Sequence, residues 1–383
     1  MNNLIMFFNE LTDTRDNRGL KHELTDCIVM SIYGILASHY DAENIAYFLK
    51  LNEEYFINEL GLEYGTPSPD TLLRIYSLIN PEEFMNIFVS RVKSIIEEKN
   101  KLLKNKYKLI PIDGKAIKSA TDKITGGNIP YVVSAFLSDL GISIGQVKVD
   151  DKSNEITAIP DLLDLIDITN SIITIDAMGC QKDITQKIID KEGHYCLAVK
   201  NNQKLLYSEL KEYFDFALKD KEELKEIYRY VETNKDHGRI ERREHFVTYN
   251  VDFIYGKENW KNLNSIGMTQ NYREINGEVS IQEKFYISDL KLSAKEFAYY
   301  TKGHWSIENN LHWILDVHFR EDWSLCKKEN ALKNLSLIRK ICYNLTKLDP
   351  INTKLSFKKK LTLYNHNLDN IKRLIFNVIP SEY

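Results

Sequence analysis

The chain has 383 residues, a net charge of −4 and a pI near 6.2, with 43% hydrophobic residues that include 22 Tyr, 16 Phe and 4 Trp. That composition supplies a large buried core and excludes intrinsic disorder, and the length suggests two or three domains at about 150 residues each. The mildly acidic balance argues against a general nucleic-acid coat. No run of about 18 apolar residues is present to span a membrane, and the opening MNNLIMFFNELTD carries acids where a signal peptide carries bases.

Residues 20–100 read as helices. LTDCIVMSIYGILASH and AENIAYFLKLN place apolar residues at three- and four-residue steps. Ser68-Pro69-Asp70 gives a cap followed by a proline at the first helical position. Asn80-Pro81-Glu82-Glu83 repeats the signal, with Glu83 placed for a capping box. Two such helices fit a helix-turn-helix. Residues 1–100, however, hold 8 Lys and Arg against 16 Asp and Glu, with no basic recognition face, which favours a plain bundle.

KNKYK at 104–108 reads as a linker, after which the period becomes strand-like. LIPIDGKAI (109–117), YVVSAFLSD (131–139) and ISIGQVKVD (142–150) are strands, the last two joined at Gly141. EITAIPDLLDLID (155–167) is an amphipathic helix with Pro160 marking a bend or a late start. SIITID (171–176) is a buried strand, 179–190 a helix stopped at Gly193, and HYCLAVK (194–200) another buried strand. Three strands, helix, strand, helix, strand make a mixed sheet flanked by helices. Residues 201–292 change character to one charged helix and several antiparallel strands, an insertion expected to project away from the sheet's functional end. Ser293 and Glu296 form a capping box that opens a final Trp-rich helix. Residues 331–383 hold 10 Lys and Arg against 3 Asp and Glu, a basic end that suits phosphate or a solvated tail.

Asp113 and Asp176 each close an apolar strand, and strand ends in such sheets open onto ligand crevices. Glu308 lies among Trp305, Trp313, His304 and His312. Three carboxylates converging on one point would suit Mg²⁺, which takes oxygen donors and substrate phosphates, and two such ions would activate water or a 3′-hydroxyl at a phosphodiester. His304, Glu308 and His312 are spaced four apart on one helical face, so a transition-metal enzyme is the rival reading. The histidines read better as hydrogen-bonding support, and the tryptophans as core, with base stacking the sharper alternative. HGRIERREH puts Arg239, Arg242 and Arg243 beside a strand as DNA-backbone candidates, and Lys115 and Lys118 follow Asp113 closely. The five cysteines are scattered and odd in number, fitting a reducing cytoplasm, and Cys180 is structural. No phosphate-binding Gly-rich loop or serine elbow occurs.

IDGKAIKSA, GQVKVDDKSNEITAIPDLLDLIDI, TIDAMGCQKDI, HGRIERR and HWSIENNLHWILDVHFRED together resemble the H-repeat-associated transposases, DDE transposases of bacterial insertion sequences. LTDTRDNRGLKHELTDCIVMSIYGILA and GTPSPDTLLRIYSLINPEEF resemble the helical segment preceding that family's catalytic domain, so the likeness runs from about residue 10 to 347. The resemblance implies an RNase H-like α/β domain over 104–350, with an insertion at about 201–292, after a helical N-terminal domain over 1–103 and before a basic tail over 351–383. It implies an acidic triad of Asp113, Asp176 and Glu308, separated by 63 and 132 residues, holding two Mg²⁺ or Mn²⁺ ions. The implied activity is cleavage and strand transfer at the inverted-repeat ends of an element. The implied partners are double-stranded DNA and a second copy of the chain, with no membrane, in a bacterial cytoplasm at the nucleoid. Lys302, where the family often has Arg, and His304 join Lys115, Arg239, Arg242 and Arg243 as DNA contacts, with His312 and Trp305 in support. Thr301, His304 and Leu315 occupy the places where related transposases carry Tyr, Arg and Lys. A domesticated relative that binds DNA without cutting it is the remaining alternative.

Overall fold

The computed structural model describes residues 4–16, 20–99, 105–117, 129–149, 155–236, 239–275, 278–324, 326 and 329–376. The N-terminal helices form where periodicity and caps place them: α1 (Leu4–Phe8), α2 (Leu24–Leu36), α3 (Ala42–Leu51), α4 (Glu53–Leu60), α5 (Pro69–Leu78) and α6 (Pro81–Lys99). Helix α2 is apolar all round and buried on every face, so it forms the axis of the bundle. Ser68 accepts the Thr71 amide at 3.3 Å, with Pro69 opening α5. Asn80 caps α6 through the amides of Glu82 and Glu83, at 2.9 and 3.3 Å. Glu83 does not close a capping box. Its carboxylate accepts from the Thr12 amide and hydroxyl at 3.0 and 2.8 Å, tying the segment before α2 to α6.

The strands are β1 (Lys108–Ala116), β2 (Tyr131–Leu137), β3 (Ile142–Val149), β4 (Ser171–Ile175), β5 (His194–Val199), β6 (Tyr228–Asp236), β7 (Arg239–Thr248), β8 (Ser265–Ile275) and β9 (Glu278–Ser288). They make one nine-stranded sheet in the order β3-β2-β1-β4-β5-β9-β8-β7-β6. β1, β4 and β5 run parallel to their neighbours among themselves, and the other pairings are antiparallel. This is the expected mixed α/β sheet preceded by helices, consistent with an RNase H-like fold. The insertion differs from expectation. It does not project away: β9 pairs with β5, Val199 opposite Phe285, so the inserted strands prolong the sheet.

Helices α7 (Glu155–Leu165) and α8 (Lys182–Asp190) cover one face, and α9 (Lys204–Ala217) continues that layer over β9. Pro160 does not delay α7, which is already helical from Glu155. It leaves only the Ile156 carbonyl, one turn from the helix start, without its intrahelical donor. The left-handed residue after α8 is Glu192, φ 56°, one place before Gly193. Helix α10 (Ala294–Gly303), opened by the Ser293–Glu296 capping box, covers the opposite face, burying Phe297 among Leu109, Ile172, Cys196 and Tyr286. A π-helical turn, Ile307–His312, runs from there into α11 (Trp313–Val317). Helix α12 (Glu329–Leu348) packs on α2, α5, α6 and β3, joining the bundle to the sheet edge. The basic end folds as α13 (Phe357–His366) and α14 (Asp369–Phe376), which bury Leu361, Tyr364, Ile371 and Ile375 against α2 and α12.

Candidate active site

Ile112 and Ile175 are the last pair of the parallel β1–β4 ladder, so the next residues, Asp113 and Asp176, stand side by side where that ladder ends, Asp176 just past β4 and Asp113 within β1, which continues to Ala116 against β2. Side chains alternate across a strand. Asp113, Thr174 and Asp176 therefore share one sheet face with Cys196, Ala198 and Lys200 of the β5 strand and its end, and with Lys284 and Tyr286 of β9. These residues and Glu308 line one cavity of about 240 Å³ beneath α10 and the π turn. Asp176 is held by the chain just beyond it: its Oδ1 accepts from the amides of Met178 and Gly179 at 3.0 and 3.4 Å. Gly179 has no room for a side chain, since a Cβ there would lie 2.2 Å from Ile175.

Glu308 reaches the cavity because its turn is π-helical, with i→i+5 bonding that α-helical periodicity does not anticipate. Ile307 and Leu311 are buried while Glu308 is exposed. The histidines on either side diverge. His304 Nδ1 lies 3.1 Å from Thr174 Oγ1, and burial pulls the imidazole below its ordinary pKa while Asp113 and Asp176 pull the other way. His312 Nδ1 lies 3.3 Å from Asp113 Oδ2, and its buried Nε2 has no partner. The three do not share a metal through one helical face. Trp305 and Trp313, expected in the core, are instead 46% and 53% exposed.

The donor chemistry, three carboxylates on an open cavity, suits a hard divalent cation. Among the described residues no three acidic, histidine or cysteine side chains are gathered tightly enough to enclose an ion in this conformation.

Sequence reasoning missed three contributors. Glu155, at the start of α7, lies over Gly114: a Cβ on Gly114 would be 2.3 Å from Glu155 Oε1 and 2.4 Å from the Tyr131 ring. Burial pushes the Glu155 carboxyl up, the Tyr131 hydroxyl opposes that, and Asp176 and Asp113 add to it. The only sequence signal was an acid opening a helix. Lys200 follows the third parallel strand just as Asp176 follows its own, a signal present in the sequence. Lys284 comes from the insertion, and its place at the cavity depends on a strand pairing that local sequence does not encode.

The cationic candidates scatter. Lys115 does not face the surface; its ammonium sits among Asp316, Glu321 at 2.8 Å and Asp322 at 3.9 Å. Arg242 turns to the opposite sheet face, pairing with Glu244 at 2.6 Å. Arg243 lies on the cavity's face and pairs with Glu241 at 3.2 Å, and Lys302 pairs with Glu232 at 3.0 Å. The Arg239 side chain and Lys118 lie outside the described residues. Cys180 is buried, its thiol pushed up to about 12 by desolvation. No helix among the described residues is long and apolar enough to cross a membrane.

Comparison with known proteins converges on one group. Residues 104–345 match the family described as Transposase DDE domain, and residues 5–91 match its DDE_Tnp_1-associated region. A protein of Escherichia coli O157:H7 named "Putative transposase YncI" is 35% identical over 352 residues, covering 89% of this chain and 86% of that protein. One of Escherichia coli K12 named "H repeat-associated putative transposase YhhI" is 34% identical over 354 residues, covering 89% of each.

Proposed function

The chain belongs to the transposase DDE domain family, and from that premise we propose that it cuts and joins DNA at the ends of an insertion element through Asp113, Asp176 and Glu308. The observation that carries this reading is that carboxylates from two adjacent parallel strands, where their ladder ends, and from a π turn line one cavity. The three carboxylates would hold the metal. Bound there, a pair of Mg²⁺ or Mn²⁺ ions supplies Lewis acidity toward the phosphodiester and a more acidic attacking water or 3′-hydroxyl.

The chain's own residues do the positioning. Two backbone amides fix Asp176, so it does not have to be ordered when substrate arrives. His312 orients Asp113 from behind, and outer partners of this kind set ligand geometry. His304, kept neutral by burial, roofs the cavity without adding charge. Lys200 and Lys284 meet the non-bridging oxygens of the reacting phosphate, where charge grows in the transition state. Arg243 and Lys302 contact the backbone further out. The substrate is duplex DNA at the element's inverted repeats, and then target DNA. A homodimer would hold the two ends together.

The test is a nicking assay on duplexes carrying the repeats that flank the coding region. Asp176→Ala is expected to abolish divalent-metal-dependent cleavage while leaving duplex binding intact. Undiminished cleavage by that variant overturns the assignment.

A further inference from the structure

Beside the carboxylate cavity lies a second, larger concavity of about 640 Å³. Its floor is one face of the inserted sheet. Register places Glu241, Arg243 and His245 of β7 opposite Arg273, Asn271 and Thr269 of β8, and these opposite Ser280, Gln282 and Lys284 of β9. Its wall is α10 and the turn after it, through Thr301, Lys302, Trp305 and Asn309. Tyr286, Lys284, Thr301 and Trp305 line both spaces, so the groove opens directly onto the carboxylates.

We propose that this groove takes an unpaired stretch of DNA strand leading into the active site, with Trp305 and Lys284 as its stacking and phosphate-binding platform. The inference rests on the nuclease reading above and specifies the form in which the substrate enters.

Four features carry it. Charge comes first: Arg243, Arg273, Lys284 and Lys302 face one carboxylate, Glu241, which both guanidiniums share at 3.2 and 3.0 Å. Lys302 also pairs with Glu232 at the rim, and Lys200 and Arg243 act on Lys284 as like charges. An arrangement of like charges awaits an anion. The second feature is the platform. The Trp305 indole is 46% exposed, and the Lys284 ammonium lies 4.8 Å from its centroid. A base that takes the ring releases that amine to its own phosphate, and an aromatic face beside a cation is how single strands are held without regard to sequence.

Third, the floor holds hydrogen-bonding atoms that the protein leaves unanswered. His245 is 1% exposed, yet its Nε2 has no hydrogen-bond partner, the closest acid being Glu232 at 3.6 Å, and Asn271 Oδ1 is likewise buried without one. Buried polar atoms are almost always satisfied, so a ligand or water belongs there. Fourth, size selects the occupant. A few hundred cubic ångströms suits a drug-sized group, that is about one or two nucleotides.

The test uses the full-length protein in EDTA, so that neither cleavage nor the carboxylates' metal enters the readout. Fluorescence anisotropy compares a labelled oligothymidylate with a blunt duplex. Trp305→Leu is expected to weaken single-strand binding about tenfold, with duplex binding changed less than about twofold, and Lys284→Gln is expected to weaken single-strand binding by a similar factor. Trp305→Phe, which keeps an aromatic face, should recover most of the loss and guards against a folding defect. Circular dichroism melting must match the wild type. Single-strand affinity unchanged in Trp305→Leu, or single-strand and duplex affinities falling together, overturns the proposal. So does preference for an acidic peptide over the oligothymidylate. Because cleavage is not measured, failure of the triad assignment would leave this result standing, and the reverse holds too.

Discussion

Substituting Lys115 separates a structural ion cluster from a DNA contact. Its ammonium lies 2.8 Å from a Glu321 carboxylate that is 1% exposed, with Asp316 and Asp322 on the same side. At that distance, with an effective dielectric of about 20, the attraction is about 6 kcal/mol before desolvation is subtracted. Removing one partner of a buried pair costs about 3–5 kcal/mol, because the other charge is left uncompensated. Here Lys340 and Arg339 still face Glu321, and Ser336 donates to it at 2.8 Å. The lower end applies, so Lys115→Ala is expected to lose about 3 kcal/mol. Urea unfolding followed by intrinsic fluorescence measures this, and anisotropy on an element-end duplex measures DNA affinity, which should hold at temperatures where the variant is folded. A stability change under about 1 kcal/mol together with weakened duplex binding would refute the reasoning and return Lys115 to the DNA-contacting set.

The same cluster predicts an acid limb. Burial alone would raise Glu321, but Lys115 and Lys340 outweigh it and hold the carboxyl well below its ordinary value. A depressed carboxyl contributes stability that is present above the unfolded pKa and lost as pH falls, so stability should drop below about pH 4.5, and Glu321→Gln should be less stable at pH 7 with a flatter acid limb in urea titrations. His312→Ala removes the partner of Asp113 and is expected to lower the nicking rate about 10–100-fold while the melting temperature changes little. A larger loss of melting temperature than of rate would make it a packing residue. Gly114→Ala should reduce nicking by driving Glu155 and Tyr131 off the backbone beside Asp113, and unchanged nicking would show that neither group bears on the site.

The parts of the site that could be read in advance were those whose signal is local. Asp113 and Asp176 stand out because each ends an apolar run; Asp176 does follow the last residue of β4, whereas β1 continues past Asp113 to Ala116, paired with β2. Ser68 and Ser293 cap their helices because capping needs only four consecutive residues. What was not legible depends on partners distant in the chain. Lys284 is 84 residues beyond Lys200, and only the β5–β9 pairing brings both to one cavity. Lys115 looked like a surface cation because the acids that enclose it lie two hundred residues later. Glu308 was singled out for its company, yet its aim depends on a π turn that α-helical spacing does not reveal. The tryptophans were assigned to the core on size alone, whereas position beside a cationic groove leaves Trp305 in the open.

The central claim, that Asp113, Asp176 and Glu308 together hold divalent metal, is tested most directly by Mn²⁺ binding to the DNA-free protein, followed by electron paramagnetic resonance. Asp113→Asn, Asp176→Asn and Glu308→Gln should each weaken binding at least about tenfold, as loss of a charged ligand does at an oxygen-donor site. Glu308→Gln that binds Mn²⁺ as tightly as the wild type would contradict the account.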